Sequence, residues 1–163
     1  MSDNGTPFPP EEIGAFLRLC AGEWMALNSD FVLGAPDASE DDNSWHSSER
    51  GELVVAYLEP ESPGEPGGLS MGAKGGLAQK LIFESQGNYR CINPQAGGQS
   101  SEEGSWELGT DGGLELVLAG GERRERIWFT KPNLRLRSWV HTPTGGLPSQ
   151  AYFSSEIRRV SKT

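Results

Sequence analysis

The chain has 163 residues and a formal net charge of −9, with 23% charged and 35% hydrophobic residues. This length suits one domain with its own core, and the composition is that of a globular chain rather than a disordered one. The acidic balance argues against general nucleic-acid binding, which needs clustered Lys and Arg. No stretch approaches the roughly 18 apolar residues of a membrane helix, and the N-terminus has no signal-peptide pattern. We therefore expect a cytoplasmic protein without a membrane span.

The chain carries two cysteines, Cys20 and Cys91. They form neither a C-x-x-C motif nor a Cys/His spacing that would indicate zinc, so we expect two small buried thiols and no metal site. The nucleophile elbow, the Walker loop and the dinucleotide fingerprint are also missing from the sequence. A metal-dependent or nucleotide-dependent enzyme is therefore not expected, and no cofactor is predicted.

Residues 1–9 are predicted to form a flexible, proline-containing lead, and residues 10–163 a single domain. An amphipathic helix of about three turns follows the lead, since acidic residues precede apolar residues at helical spacing and Gly22 ends the pattern. The apolar positions of this helix are Ile13, Phe16, Leu17 and Cys20.

The rest of the chain alternates between polar and apolar residues or breaks at turns, which predicts about eight to ten antiparallel strands. Residues 59–76 are rich in Pro, Gly and Ser and are predicted to be mostly loop, and 94–101 to be a turn. Closure into an up-and-down barrel would remove the sheet edges and leave room for one small ligand; a β-sandwich fits the pattern as well. The predicted strands are 24–33, 45–58, 78–85, 89–93, 103–108, 114–119, 122–130, 134–141 and 149–160.

The predicted strand 134–141 has Arg135, Arg137 and Trp139 on one face. A strand face with two arginines is usually exposed to water. Alternatively this face lines the lumen of a barrel, where an inward guanidinium needs a carboxylate partner. Glu125, Glu156 or an acidic ligand could be that partner.

Glu125 shares a strand face with Ile127 and Phe129. A carboxylate among apolar neighbours has a raised pKa or pairs with an arginine, unless the face is solvated. Glu156 is open to the same two interpretations. The chain also has five tryptophans, which suit core packing or stacking on a large conjugated ligand.

Four segments carry a resemblance to a known family: AGEW at 21–24, SSERG at 47–51, ERIWF at 125–129 and PNLRLR at 132–137. In this order they resemble the S/U-type phycobiliprotein lyases (CpcS, CpeS and CpcU). The resemblance covers nearly the whole chain and is most specific in the second half. It implies an all-β, lipocalin-like (fatty-acid-binding-protein-like) antiparallel up-and-down barrel of ten strands with one N-terminal helix.

The resemblance also implies an enzyme, a bilin lyase. Such a protein binds an open-chain bilin (phycocyanobilin or phycoerythrobilin) as its substrate and attaches it by a thioether to a cysteine of an apo-phycobiliprotein subunit. Glu125 and Glu156 are then the expected catalytic carboxylates, because the family pattern places the first in the pocket and implicates the second. The expected bilin-binding residues are Arg135, Arg137, Trp139, Trp128 and Asn28.

Three positions depart from the family pattern. Asn28 and Phe31 stand where many members have an arginine and a histidine, and Trp139 where a serine is frequent. These departures leave open a noncatalytic bilin carrier, or a subunit that works in a homodimer or in a heterodimer with a related lyase subunit. An unrelated lipocalin-like protein that binds amphiphiles is a third interpretation.

Overall fold

The computed structural model describes residues 8–32, 46–95, 98–143 and 145–160. Most of the predicted lead at 1–9 and the first residue of the strand predicted at 45–58 lie outside these ranges. Within them the chain forms one α-helix and ten strands: α1 Ile13–Cys20, β1 Gly22–Val32, β2 His46–Leu58, β3 Gly67–Ala73, β4 Ala78–Phe83, β5 Asn88–Gln95, β6 Gly98–Leu108, β7 Leu114–Leu118, β8 Arg123–Lys131, β9 Leu134–His141 and β10 Gln150–Arg158.

The ten strands form one closed antiparallel barrel. Each strand pairs with its neighbours in the chain, and β1 pairs with β10 to close the sheet. Each of these ten strands therefore has a partner on both sides, and within the described ranges the sheet has no open edge. The predicted up-and-down barrel is confirmed, and the β-sandwich alternative is wrong.

Helix α1 covers one end of the barrel. It has eight residues, about two turns rather than the predicted three, because the backbone of Glu12 is extended and the helix begins only at Ile13. Phe16, Leu17 and Cys20 are fully buried, and the Phe16 ring lies 5.3 Å from that of Phe129 in an edge-to-face arrangement. The apolar face of the helix thus closes the lumen at this end.

Side chains from the barrel bind the free carbonyl groups at the C-terminus of α1. Trp24 Nε1 donates a hydrogen bond of 2.9 Å to the Cys20 carbonyl. The Arg158 guanidinium donates to the carbonyls of Leu19, at 2.6 Å, and of Ala21. A cation at this position also complements the partial negative charge of the helix end, so the first and last strands hold the helix in place.

Strand β3 is not among the predicted strands: it occupies 67–73 of the segment 59–76, most of which lies outside the strands as expected. Residues 67–73 pair with both β2 and β4. The glycines that indicated a loop are needed inside the sheet, because a Cβ on Gly68 would lie 2.2 Å from the Leu81 carbonyl oxygen. A Cβ on Gly72 would lie 2.5 Å from the Leu77 carbonyl oxygen. Glycine here permits close backbone approach rather than a turn.

The turn predicted at 94–101 is also shorter than expected. Strand β5 continues to Gln95 and β6 begins at Gly98, with these two residues paired. The antiparallel ladder simply extends through most of the polar segment. Polar composition does not mark a loop here, because backbone pairing does not depend on apolar side chains.

Side chains along each strand alternate between the lumen and the outer surface. The core lies inside the barrel against α1, and both cysteines are free and buried there, as predicted. Its fully or almost fully buried members include Trp24, Leu69, Leu81, Phe83, Tyr89, Cys91, Leu114, Leu116 and Ile127.

Candidate functional site

The inward faces of four adjacent strands, β1, β8, β9 and β10, carry most of the charged and polar side chains of the lumen. Strand register places Arg135 opposite Glu156 and Phe129, and Arg137 opposite Ser154 and Ile127. Asn28 lies opposite Ser154 on the other side of β10. The predicted sharing of one face by Arg135, Arg137 and Trp139 is confirmed, and that face is the inner one.

The centre of the group is Glu156, whose side chain is completely buried. Arg135 Nε donates to Glu156 Oε1 at 2.6 Å, and Arg137 Nε donates to Oε2 at 2.7 Å. Ser154 Oγ lies 2.9 Å from the same Oε2. Each carboxylate oxygen thus has a charged donor, which is the condition under which a buried ion pair is tolerated.

Opposing effects set the pKa of Glu156. Burial alone would raise it, but the positive charges of Arg137 and Arg135 and their hydrogen bonds outweigh burial and hold the pKa below its ordinary value. Burial would lower the pKa of Arg137, whereas Glu156 and Glu125 raise it above its ordinary value. Both groups are therefore charged at neutral pH, and the arrangement fixes Glu156 as a carboxylate.

Glu125 joins the same network through Arg137. Its Oε2 lies 3.6 Å from Arg137 Nη1, and 12% of each side chain is exposed. Arg137 thus lies between two carboxylates, one fully buried and one in limited contact with solvent. Of the two carboxylates, Glu125 is the one with fewer contacts and with access to solvent.

A hydrogen-bonded layer continues the network from Glu156 towards β1. Asn28 Oδ1 lies 2.7 Å from the Tyr152 hydroxyl and 2.9 Å from Ser154 Oγ. Because the Ser154 hydroxyl has a single proton, Asn28 and Glu156 share it. Asn28 is therefore tied to Tyr152 and Ser154, inside the predicted site.

Two aromatic rings stack beside this layer. The rings of Trp139 and Tyr152 are 5.7 Å apart and nearly parallel, at 12°. The Arg123 guanidinium lies 4.9 Å from the Trp139 ring centre, and that of Arg137 lies 5.8 Å from the Tyr152 ring centre. These are cation–π distances, so the stack joins flat apolar surface to positive charge.

Two of the predicted binding residues lie elsewhere than expected. Trp128 alternates with Ile127 and Phe129 and therefore lies on the outer face of the barrel, where its ring is 6.5 Å from that of Phe153. Strand alternation turns Trp128 away from the lumen, so its predicted contact with a bilin stays a prediction that a ligand in the lumen would not satisfy. Arg135 does face inward, but it is fully buried between Glu156 and the Trp24 ring, 5.2 Å from the ring centre.

Three residues of the site are not among those predicted from the sequence: Arg123, Tyr152 and Ser154. All three stand at even spacing from predicted site residues on the same strand. Arg123 is two positions before Glu125, and Ser154 and Tyr152 are two and four positions before Glu156. The period of two that assigns strand faces is the signal that could have found them.

Two structural features of the described residues bear on other functions. In that part of the chain, no three His, Cys, Asp or Glu side chains are grouped so that they could hold a metal ion. Within the same ranges, no helix has both the length and the apolar character needed to cross a membrane.

Sequence comparison identifies relatives of this chain. The family model of CpeS-like proteins matches residues 98–159. Chromophore lyase CpcS/CpeS 1 of Paulinella chromatophora is 42% identical over 160 residues, which are 96% of this chain and 94% of that protein. Chromophore lyase CpcS/CpeS 2 of Synechococcus sp. (strain JA-3-3Ab) is 45% identical over 60 residues, 36% of this chain and 32% of that protein.

Structural comparison agrees with the sequence relatives in fold. The S-type phycobiliprotein lyase CPES from Guillardia theta superposes with a TM-score of 0.59 and 16% identity, covering 92% of this chain and 94% of that one. The relative that is similar along nearly its full length, together with this shared barrel, establishes that the chain belongs to the CpcS/CpeS family of chromophore lyases.

Proposed function

We propose that this protein binds an open-chain bilin in the lumen of its barrel and attaches it to a cysteine of an apo-phycobiliprotein subunit. The observation that carries the proposal is the inner wall of β1, β8, β9 and β10 in a chain of the chromophore lyase family. This wall combines stacked rings, guanidinium groups and a carboxylate of limited exposure. These are the groups that would hold a flat tetrapyrrole with acidic side chains and pyrrole nitrogens.

The reaction is an addition and needs no nucleophile from this chain. The thiolate of the partner's cysteine forms a C–S bond to the ethylidene group of the bilin, whose C=C bond becomes a single bond. The proton lost by the thiol is balanced by one gained on the tetrapyrrole, so nothing is oxidised and nothing leaves. The contribution of the barrel is to hold the bilin in one geometry and exclude competing additions.

Within this proposal the two carboxylates have different roles. Glu125 is 12% exposed and contacts Arg137 at 3.6 Å, so we assign it to hydrogen bonding with a pyrrole nitrogen and to proton exchange with the bilin. Glu156 has both oxygens occupied and a lowered pKa. It is therefore a positioning residue, which fixes the orientation of Arg137.

Trp139 and Asn28 complete the proposed contact surface. The face of the Trp139–Tyr152 stack supports the conjugated system of the bilin by ring contact. Asn28 fixes the Tyr152 hydroxyl through a bond of 2.7 Å. Arg137 lies beside the stack, whereas the fully buried Arg135 acts from behind it, through Glu156. We place the reaction in the cytoplasm, as expected from the sequence.

A second candidate function is favoured by the same Asn28. Where a family member with arginine here would add a cation to the lumen, this chain has a neutral amide already bound to Tyr152 and Ser154. With lower affinity for the bilin, this protein would act as a carrier. Alternatively, it would be a subunit whose site is completed by a second copy or by a related lyase subunit.

Co-expression tests the proposal. The chain is produced with bilin-synthesising enzymes and each candidate apo-phycobiliprotein subunit, and the denatured products are scored by zinc-enhanced fluorescence and absorbance. A covalent adduct that requires this chain is expected, and Glu125→Gln should slow its formation by about a hundredfold, the lower end of the range for loss of an acid–base group. Glu115→Gln, which removes an exposed carboxylate paired with Arg126, is the matched control.

The other outcomes separate the alternatives. A coloured complex with this protein and no adduct would replace the lyase by the carrier. An adduct that appears only when a related lyase subunit is added would make it a partner subunit. Neither colour nor adduct with any subunit would contradict both functions.

A further inference from the structure

In the described part of β8 and β9, three arginines lie on the inner face, and they differ in their partners. Arg135 and Arg137 both donate to Glu156, at 2.6 and 2.7 Å, and Arg137 also contacts Glu125. Arg123 has no such pairing: among the described residues, no carboxylate forms an ion pair with it. Within the described ranges its buried Nε atom has no hydrogen-bond partner; Arg135 Nη1 and Nη2 have none either, but the Arg135 side chain is fully buried and pairs with Glu156 through Nε. Of the three, Arg123 is the one whose charge is not paired with a carboxylate.

The position of Arg123 makes it accessible to a ligand. Along the inner face of β8 the side chains run from Phe129, which contacts the helix, through Ile127 and Glu125 to Arg123. Arg123 is therefore at the end of the barrel away from α1, and it is half-buried rather than enclosed. Its guanidinium lies over Trp139, one ring of the stack proposed to carry the bilin.

Other charged groups face the same part of the lumen without pairing with Arg123. Burial is the main cause of the raised pKa of the Cys91 thiol; the nearby charge of Arg123 lowers this pKa, and the charges of Glu102 and Glu125 raise it. Burial also raises the pKa of the Tyr89 hydroxyl, and the same three charges act on that pKa. The two carboxylates thus lie near enough to act through space but are not in contact with the cation, so a ligand carboxylate could bind there by direct hydrogen bonds.

We propose that Arg123 is the residue that binds a carboxylate of the ligand, and that it takes one propionate of the bilin. This inference rests on the proposed function, and it revises the expectation from the sequence that Arg135 and Arg137 are the bilin-binding arginines. A guanidinium offers several N–H groups in one plane and suits a carboxylate better than an ammonium does. Arg135 is fully buried, and Arg137 is held between Glu156 and Glu125, so neither offers a guanidinium that is both partly exposed and free of a carboxylate.

The experiment measures binding of phycocyanobilin and of its dimethyl ester, in which both propionates are uncharged, to the full-length protein. Four proteins are compared: the wild type, Arg123→Gln, Arg123→Lys and Arg124→Gln. Arg124 is the matched control because it is the next residue of β8, lies on the outer face and is exposed, so its replacement changes the net charge equally. Thermal unfolding of each variant checks that it is folded.

The expected result depends on both the ligand and the variant. Wild type and Arg124→Gln should bind the diacid about tenfold more tightly than the ester, as expected for one charge-assisted contact. Arg123→Gln should lose that preference: its affinity for the diacid should fall, while its affinity for the ester should stay within about twofold of the wild-type value. Arg123→Lys, which keeps the charge, should retain part of the preference.

Two failures are distinguishable. If the wild type binds the diacid but Arg123→Gln binds it equally well, or loses diacid and ester to the same extent, the role of Arg123 is overturned and the proposed function stands. If the wild type binds neither the diacid nor the ester, the proposed function is overturned and the role of Arg123 with it.

Discussion

Two sides of the lumen differ in the type of side chain that they bury. We call the buried inward side chains of β3 to β7 the apolar wall, which excludes the less buried Gln79, Asn93 and Glu102 on the same faces. Its members include Leu69, Met71, Leu81, Phe83, Tyr89, Cys91, Leu114, Leu116 and Leu118. We call the inward faces of β1, β8, β9 and β10 the ionic wall; apart from the apolar residues near α1, it contains Asn28, Arg123, Glu125, Arg135, Arg137, Trp139, Tyr152, Ser154 and Glu156. Both walls are antiparallel strands with the same alternation, so the difference lies in side chains alone.

The comparison shows two ways in which a strand stabilises the lumen. In the apolar wall each side chain contributes roughly in proportion to the area it removes from water, and the contributions are nearly independent. In the ionic wall each group depends on a specific partner. Removing one partner leaves a buried charge without compensation, and this destabilises the fold by more than the intact pair stabilises it. Substitutions in the apolar wall are therefore expected to lower the free energy of unfolding in proportion to the area lost, whereas a single substitution in the ionic wall is expected to disrupt several contacts at once.

The largest expected effect is the loss of the carboxylate at the centre of the ionic wall. Glu156→Gln leaves the fully buried Arg135 and the nearly buried Arg137 without their shared partner. We expect the free energy of unfolding to fall by about 3–5 kcal/mol, the usual cost of breaking a buried pair from one side. Urea denaturation measures this free energy. Glu115→Gln, which removes an exposed carboxylate, is the control, and its loss of unfolding free energy is expected to be below about 1 kcal/mol. Equal losses in the two variants would show that the network is not a stabilising unit.

Acid should remove the same contribution without a mutation. The pKa of Glu156 is lower in the folded protein than its ordinary value of 4.5. The stabilisation from its carboxylate is therefore complete above that pH and disappears as the pH falls through the folded value. We expect the difference in unfolding free energy between wild type and Glu156→Gln to be largest near neutral pH and to narrow below pH 4.5. A difference that stays constant down to acid unfolding would contradict the ion-pair account.

A change in the apolar wall should be smaller and should affect only stability. Leu81 is 2% exposed, and Leu81→Ala creates a cavity that we expect to cost about 2–4 kcal/mol. Leu77→Ala, at a side chain 77% exposed, is the control and should cost less than about 0.5 kcal/mol. Bilin affinity of folded Leu81→Ala should stay within about twofold of wild type. A much larger loss of affinity would mean that the apolar wall also contacts the ligand.

The smallest expected effect compares an inward ring of the ionic wall with an outward ring of β8. Trp139→Ala removes the inward ring stacked on Tyr152, and we expect bilin affinity to fall about tenfold, or about 1.4 kcal/mol. Trp128→Ala removes an outward ring that contacts Phe153 and should change affinity less than about twofold. Titration followed by bilin absorbance measures both. The reverse order would place the ligand on the outer surface.

Much of the ionic wall follows from local sequence. The alternation along 134–141 is enough to place Arg135, Arg137 and Trp139 on one face, and the alternation of the preceding strand places Glu125 with Phe129. Strand alternation is a property of the extended backbone, so it survives whatever the strand pairs with. The position of the helix and most strand limits are also set by local patterns, the helix by apolar residues at helical spacing and the strands by turn residues.

Residue type misleads where position decides the role. Gly68 and Gly72 indicate a loop, although the sheet requires them for close approach between β3 and β4. As a tryptophan, Trp128 is expected to contact the ligand, although its position in β8 turns it outward. In both cases the neighbouring strand or the direction of the face decides the role, and neither is a local property.

By itself the sequence determined nine of the ten antiparallel strands, the amphipathic helix and the set of side chains that share each strand face, because these depend on residues close together in the chain. Only the tertiary structure decided which face is inside, that Arg135 and Arg137 are neutralised by Glu156, and that Arg123 is left without a carboxylate partner among the described residues. The physical reason is distance along the chain. Arg135 and Glu156 are 21 positions apart, and they meet only because β9 and β10 pair in one register of a closed barrel.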